Sequence, residues 1–355
     1  MDSFPHFFNW RVGCMNHLER VNEALSHRQP DQTPAYMGRI DDLAHFCECA
    51  GVKDEEGFRS VLQMDIRKVG YSGTLRAEKG KNIWGASEVF GSYGTERGSY
   101  PLAGVETVEE VEGYAWPTVD ALDLDLYLSR VDAIDPKYPI IHSIGFLPVL
   151  NTLMDMFGME DSLMLMLSSP EVIEAAIARI ESFLFDTTKK ILDACASKAF
   201  AFWLGDDFST QRGMMISPEA WRKFLKPTYK RLFELVKSYN LKVWFHSCGT
   251  FRQVLPDLVD MGMDIWETVQ AHLEGNDPRE LKDEFGKHLT FFGAINCQQT
   301  LPFGTTEDVR REVRERIRIL GRNGGYICGP DHSIQANMPW ENLVAMYDEI
   351  RKCGS

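Results

Sequence analysis

The amino-acid sequence predicts an α/β protein built as a (β/α)8 TIM barrel, and three observations predict it. Short apolar runs alternate with helical patterns, most regularly from residue 199 onward. Polar residues recur at the C-terminal end of nearly every apolar run, where barrels of this class build their sites. No G-x-G-x-x-G opens a helix after any run, and that motif is the usual signature of the alternative, a doubly wound open sheet.

In chain order, a helix is expected near Met15–His27 within an N-terminal helical extension covering residues 1–30. An extended segment, Thr33–Ile40, ends in Arg39 and Asp41. Strands follow at about Met64–Tyr71 and Pro139–Gly145, with a β-hairpin excursion over the Gly-, Tyr- and Ser-rich Trp84–Tyr100. The fourth strand is Ala199–Leu204, and Ser217-Pro218 then opens a helix, with Ser at the N-cap and Pro at the first helical position. Leu241–Phe245 is the fifth strand, followed by a helix near Phe251–Met261. Met263–Trp266 precedes a helix over Asp277–Phe285, and Leu289–Phe292 precedes one over Thr306–Leu320. The eighth strand is Gly325–Cys328, and a last helix starts near Pro339. Neither a linker nor a repeat divides the chain, so residues 1–355 read as a single domain.

Composition sets the class. Hydrophobic residues are 44% and charged residues 25%, ordinary for a globular protein. A net charge of −14 argues against nucleic acid or an anionic membrane as partner, and mildly against a polyanionic substrate unless a local Arg cluster overrides it. No uncharged stretch approaches the length of a membrane span, and the aromatic N-terminus lacks the pattern of a secretory signal. The eight cysteines are scattered, which predicts a reducing, cytoplasmic compartment with thiols available for metal or catalysis.

The chemistry gathers at the ends of strands four to eight: Asp206 and Asp207, His246 and Cys248, Glu267, Asn296 and Cys297, and Cys328 and His332. His246 and Cys248 are separated by one residue on an extended segment, so their side chains point the same way. They supply two zinc ligands; Cys328 or His332 supplies a third, and Glu267 a displaceable fourth. Buried cysteine is common as plain core, so Cys328 as core filler and His332 as a turn cap stand beside this reading. Asp206 and Asp207 read as substrate ligands or acid/base groups, and equally as a solvated loop pair. Arg212 either orients a substrate carboxylate or pairs with a nearby acid, and Asn296 is a substrate-binding candidate. His142 reads as a satisfied interior histidine and Cys297 as core. The Met-rich run Leu153–Met166 reads as packing.

Four segments resemble the uroporphyrinogen decarboxylase superfamily, which includes zinc-dependent cobalamin:thiol methyltransferases. They are Glu19–Asp31, Gly205–Gly213, His246-Ser-Cys-Gly249, and Gly324–Ile334 with Pro339–Asn342. The resemblance implies a (β/α)8 barrel. The methyltransferase branch is similar in carrying H-x-C after the fifth strand and a further ligand in the last loop, where His332 aligns; Cys328 stays open. It implies zinc as cofactor, a corrinoid as methyl carrier, a small-molecule substrate, and a corrinoid protein or a homodimer as partners.

The decarboxylase branch carries an Arg-rich N-terminal motif, for which this chain has Pro34-Ala-Tyr-Met-Gly-Arg-Ile40 with Arg39 alone. A substrate with many carboxylates needs several guanidiniums, so the resemblance favours methyl or alkyl transfer. A cofactor-free decarboxylase using Arg39, Asp65 and His332 is the alternative. A non-enzymatic barrel binding a corrinoid-carrying partner is the third reading.

Overall fold

The computed structural model describes residues 15–70, 73–91 and 94–353. Seven parallel strands form one sheet: β1 (Arg67–Lys68), β2 (Ile140–Ser143), β3 (Ala201–Gly205), β4 (Lys242–His246), β5 (Ile265–Val269), β6 (Thr290–Ile295) and β7 (Tyr326–Pro330). Spatial order follows chain order, and each parallel pair is joined by a crossover connection. The architecture is α/β and TIM-barrel-like.

The predicted first strand, Thr33–Ile40, makes isolated bridges and not a ladder. Ala35 bridges Cys328 of β7, and Ile40 bridges Ile334. On its other side the Ala35 carbonyl accepts from the Asp65 N–H at 2.8 Å, just before β1. Pro34 has no N–H to donate and Gly38 adds no side chain to pack, which accounts for the broken ladder. β1 keeps only two residues of the predicted Met64–Tyr71, and residue 71 lies outside the described residues.

Helix signals in the sequence are realised with small shifts at the ends. Ser217 accepts from the Ala220 N–H and caps Pro218–Phe224. Thr305 and Asp308 form a reciprocal capping box at the start of Thr306–Leu320; such a cap contributes about 1 kcal/mol. Asp277 caps Pro278–Phe285, and Asn16 caps His17–Leu25. Of the predicted N-terminal extension, residues 1–14 lie outside the described residues. The hairpin expected over Trp84–Tyr100 is present as Ser87–Gly91 paired antiparallel with Gly94–Ser99. Among the described residues no helix is long and apolar enough to cross a membrane.

Two apolar layers result from the period-two alternation of the strands. Ile141, Trp203, Trp244, Ile265, Phe292 and Ile327 form the inner cluster, joined by Val21 and Leu25 from the first helix. The alternate residues pack outward against the helices in a larger cluster that includes Phe202, Phe245, Trp266 and Cys328. This parity decides which polar residues reach the interior. His246 is two residues beyond Trp244 and Glu267 two beyond Ile265, so both continue the inner face.

Candidate metal centre

His246 ends β4 directly opposite Glu267 in the strand register. Its Nδ1 lies 3.2 Å from Glu267 Oε1. Glu267 Oε2 accepts from the indole N–H of Trp203 at 2.9 Å and from that of Trp244. Burial opposes ionisation of Glu267, but His246, Lys68 and the Trp203 hydrogen bond outweigh it and hold the carboxyl below its ordinary range. An ionised carboxylate only accepts, so His246 Nδ1 carries a proton, and Nε2 is the ring nitrogen that faces Cys248 and Asp207. That nitrogen is 3.4 Å from Cys248 Sγ and 3.6 Å from Asp207 Oδ1.

Cys248 is brought back toward His246 by a tight turn. Its N–H donates to Asp207 Oδ1 at 2.9 Å, and the Gly249 N–H donates to Gln270 Oε1 at 2.7 Å. Gly249 has φ +85°, and a Cβ there would strike the Thr210 carbonyl, so glycine is required. Burial works against the Cys248 thiolate, yet His246 and His332 outweigh it and hold the thiol below its ordinary value.

His332 arrives from the loop after β7. His246, Cys248 and His332 each offer one ligand atom, and these atoms lie within 4.8 Å of one another. Two imidazole nitrogens and a sulfur at that separation suit a borderline-soft ion such as zinc. The loop is clasped from the neighbouring strand ends. Asp331 Oδ1 accepts from the Cys297 N–H at 3.0 Å, its Oδ2 faces His272 Nδ1 at 3.4 Å, and Cys297 Sγ meets the His332 carbonyl at 3.4 Å.

Several predicted site residues lie elsewhere. Cys328 is fully buried in the outer layer, where Tyr326 donates to its sulfur at 3.3 Å. Pleat parity turns it away from the interior, because Ile327 faces inward. Glu267 does not stand as an open fourth ligand, since His246 and the two indoles engage its carboxylate. Asp65 precedes β1, at the end of the sheet opposite the cluster, and is fully buried. There it accepts from Arg20 at 2.6 Å and the Ala35 N–H at 2.8 Å, with His17 Nδ1 at 2.7 Å. Asn296 uses its Oδ1 to cap the turn at Gln298 and Gln299, at 2.7 and 2.9 Å.

Asp206 and Asp207 do not behave as a solvated pair. Asp206 is fully buried, accepts from Tyr229 at 2.8 Å and Leu150 N–H at 3.1 Å, and is pushed by burial up to about 7. Asp207 faces His246. Arg212 sits in an exposed turn between Ser209–Thr210 and Gly213–Met214. Arg39 reaches the mouth and pairs with Asp41 at 2.7 Å. His142 is interior, with Tyr127 at 3.1 Å and the Cys195 carbonyl at 2.9 Å. Of the Met-rich run, Met154, Met156 and Met166 are buried while Met164 is exposed.

A narrow cavity of about 200 Å³ meets the cluster. Beyond His246 and His332 it is lined by Asp207, Glu267 and Thr268, with Phe146, Trp203 and Lys68 forming a wall. Sequence reasoning missed Lys68, whose Nζ lies 4.0 Å from the centre of the Trp203 ring. It also missed Trp203, Trp244 and Asp331. Counting two residues back from His246 would have placed Trp244 on the same face; Lys68 on its two-residue strand gave no such signal. A wider cavity of about 600 Å³ lies on the Cys248 side and shares His332 and Ser333 with the narrow one.

Comparison with known proteins bears on the fold and the family. A solved methyltransferase from Methanosarcina mazei superposes with a TM-score of 0.74 over 95% of this chain and 98% of that one, at 16% identity, and so shares the fold. The uroporphyrinogen decarboxylase of Anaeromyxobacter dehalogenans (strain 2CP-C) is 25% identical over 185 residues, spanning 52% of this chain but only 46% of that protein. Residues 106–353 match the uroporphyrinogen decarboxylase (URO-D) family model. That stretch holds β2 to β7 and all three members of the His246, Cys248 and His332 cluster, and on it the chain belongs to the uroporphyrinogen decarboxylase family.

Proposed function

We propose that this chain is a zinc-dependent methyl or alkyl transferase acting on a small molecule, with His246, Cys248 and His332 as the protein ligands. The observation that carries the reading is the convergence of those three donors within 4.8 Å, beside a cavity. The donor set fits zinc, and Glu267 supplies the carboxylate behind the histidine that such sites use to fix ring orientation. When bound, zinc supplies a Lewis-acidic centre at which a thiol acceptor is held as its thiolate.

The chain's own residues prepare that centre. Glu267 keeps the Nδ1 proton of His246 in place and leaves Nε2 free to ligate. Asp207 fixes the Cys248 backbone. Phe146 and Trp203 pack against the His246 ring at 5.7 and 5.6 Å between centroids and shield one side of it from water. The methyl group moves to the acceptor's sulfur lone pair, and the electrons of the broken bond stay on the donor, a corrinoid or a methylated small molecule. A corrinoid protein as carrier, a cytoplasmic setting and a single barrel domain completed by Thr33–Ile40 belong to the same proposal.

The decarboxylase reading draws on the name of the Anaeromyxobacter relative and on an arginine-lined chamber beside the mouth. Against it, Asp65 is sealed in an ion cluster with Arg20 and His17 at the opposite end of the sheet. Elemental analysis of the purified protein decides. The expected result is one zinc per chain, lost in His246→Ala and Cys248→Ala. Full activity in metal-free protein would overturn the proposal.

A further inference from the structure

The wider cavity of about 600 Å³ opens on the Cys248 and His332 side of the cluster, and the proposed function gives it no role. Among the described residues its lining holds no Asp, Glu, Lys or Arg, in a chain where 25% of residues are charged. Its ionisable groups are Cys248 and His332 of the cluster, and Cys297, whose thiol burial keeps protonated. Five carboxamides stand there instead: Gln211, Gln270, Gln298, Gln335 and Asn337. They arrive from four places in the chain: the turn that follows β3, the ends of β5 and β6, and the loop after β7. Convergence from four elements is a property of the fold and not of one polar loop.

Such a lining selects by charge. A ligand anion would find no Lys or Arg there, and a ligand cation no carboxylate, so neither regains what it loses by leaving water. A wholly apolar ligand would strip water from the amides and leave them unpaired, at about 1–3 kcal/mol for each group buried. A carboxamide both donates and accepts, as a hydroxyl does. Gln270 is the fixed point of the set. It is 4% exposed, and its Oε1 accepts from the Gly249 N–H at 2.7 Å. An N–H can meet only the amide oxygen, so the orientation of this amide is settled, and its Nε2 donor has no partner among the described residues. A buried donor on a cavity wall calls for an oxygen acceptor from the ligand. Gln211, Gln335 and Asn337 are exposed, and their side-chain amides also have no protein partner among the described residues. At the rim Phe303 is 73% exposed, an aromatic face against which ring C–H groups pack.

We propose that the wider cavity holds the body of the small-molecule substrate, and that this body is uncharged and polyhydroxylated, as in a sugar or a cyclic polyol. One of its oxygens accepts from Gln270 Nε2, other hydroxyls exchange hydrogen bonds with Gln211, Gln335 and Asn337, and its ring packs at Phe303. The reactive end lies toward Cys248 and His332. Calling this occupant the substrate rests on the transferase reading; recognition of a neutral polyol does not.

Ligand-observed NMR titration tests the site, with the metal content of the purified protein measured alongside. The probes are the methyl glycosides of glucose, galactose and mannose. Methoxycyclohexane lacks the hydroxyls, methyl glucuronide adds a charge, and succinamide offers carboxamides in their place. At least one methyl glycoside binds once per chain, with an affinity indifferent to salt, and the three controls bind about tenfold more weakly or worse. Gln270→Glu keeps the acceptor for Gly249 but removes the donor, and weakens that glycoside about tenfold; Gln335→Ala and Asn337→Ala weaken it about threefold each. Gln299→Ala, an exposed amide outside the lining, leaves it unchanged, and thermal melts confirm that each variant is folded. Absence of glycoside binding to the folded wild type overturns the proposal, as does wild-type affinity in all three lining variants, or a control that binds as well as the glycosides. Glycoside binding to a protein that holds no zinc as purified keeps the cavity's occupant and sinks the transferase reading. One zinc per chain without glycoside binding does the reverse, so the two failures are separable.

Discussion

Glu267 Oε1 sits 3.2 Å from His246 Nδ1, while its other oxygen is held by Trp203 and Trp244. The carboxylate is therefore an acceptor for three N–H donors that converge from β3 and β4. Glu267→Gln keeps the shape but turns one acceptor into a donor, which faces either an indole N–H or the Nδ1 proton. Zinc affinity is expected to fall by about 10–100-fold, with the fold retained. Competition against a chromophoric chelator reads this; an unchanged affinity would separate Glu267 from the metal centre.

Asp331 offers a second test through a different element. It ties the His332 loop to Cys297 and faces His272. Asp331→Ala is expected to weaken zinc by roughly tenfold or more, and His272→Ala by less, since Asp331 keeps its bond to the Cys297 N–H. His272→Gln, which retains a donor, recovers part of the loss. Zinc binding equal to wild type in Asp331→Ala would show that the loop holds His332 without this clasp.

Asp65 separates a structural from a substrate-binding role. Its carboxylate is fully buried and paired with Arg20, whose side chain is 8% exposed. Removing Asp65 leaves Arg20 its pair with Asp31 at 2.8 Å but takes the buried acceptor from the Ala35 N–H and from His17, a loss of about 1–3 kcal/mol. Asp65→Ala is expected to lower the urea midpoint sharply, yet the surviving folded fraction holds one zinc per chain. A variant of normal stability with impaired substrate binding would restore the part that the decarboxylase alternative gives to Asp65.

The sequence made the periodic elements legible because strand alternation and helix caps are local properties. The Ser217 cap, the Thr306–Leu320 helix and the strand ending in His246 all follow from neighbours in the chain. The H-x-C pair was readable for the same reason, since two residues on one pleat face need no long-range information. What escaped was parity across distant strands. Cys328 and His332 look equivalent in sequence, and only the inward position of Ile327 settles that Cys328 faces the helices. Glu267 was placed at a strand end, whereas β5 runs on to Val269 and sets Glu267 within it. Asp65 was placed within the second strand, which in the structure begins only at Arg67.

Lys282 supplies a pH test remote from the metal centre. Its Nζ donates to the Gly324 carbonyl at 2.7 Å, and the residue is 7% exposed. Burial, with Arg322 adding like charge, pushes the amine from its ordinary 10.5 down to about 8. The folded chain thus releases this proton at lower pH than the unfolded chain does. Between about 8 and 10.5 the unfolded state binds more protons, so this group makes unfolding costlier as pH rises. Below about 8 the burden of a buried charge is fully present; above 10.5 it is gone. Lys282→Met carries no such burden at any pH. The stability of the variant minus that of wild type is therefore expected to fall between about pH 7 and pH 10, by on the order of 1–3 kcal/mol. Buried Tyr36 and Cys328, both pushed up by burial, titrate in the opposite sense in both chains. The difference between the two chains, and not either raw curve, is the readout from urea unfolding. A difference that stays constant over that range would mean that Lys282 keeps an ordinary pKa in the folded protein.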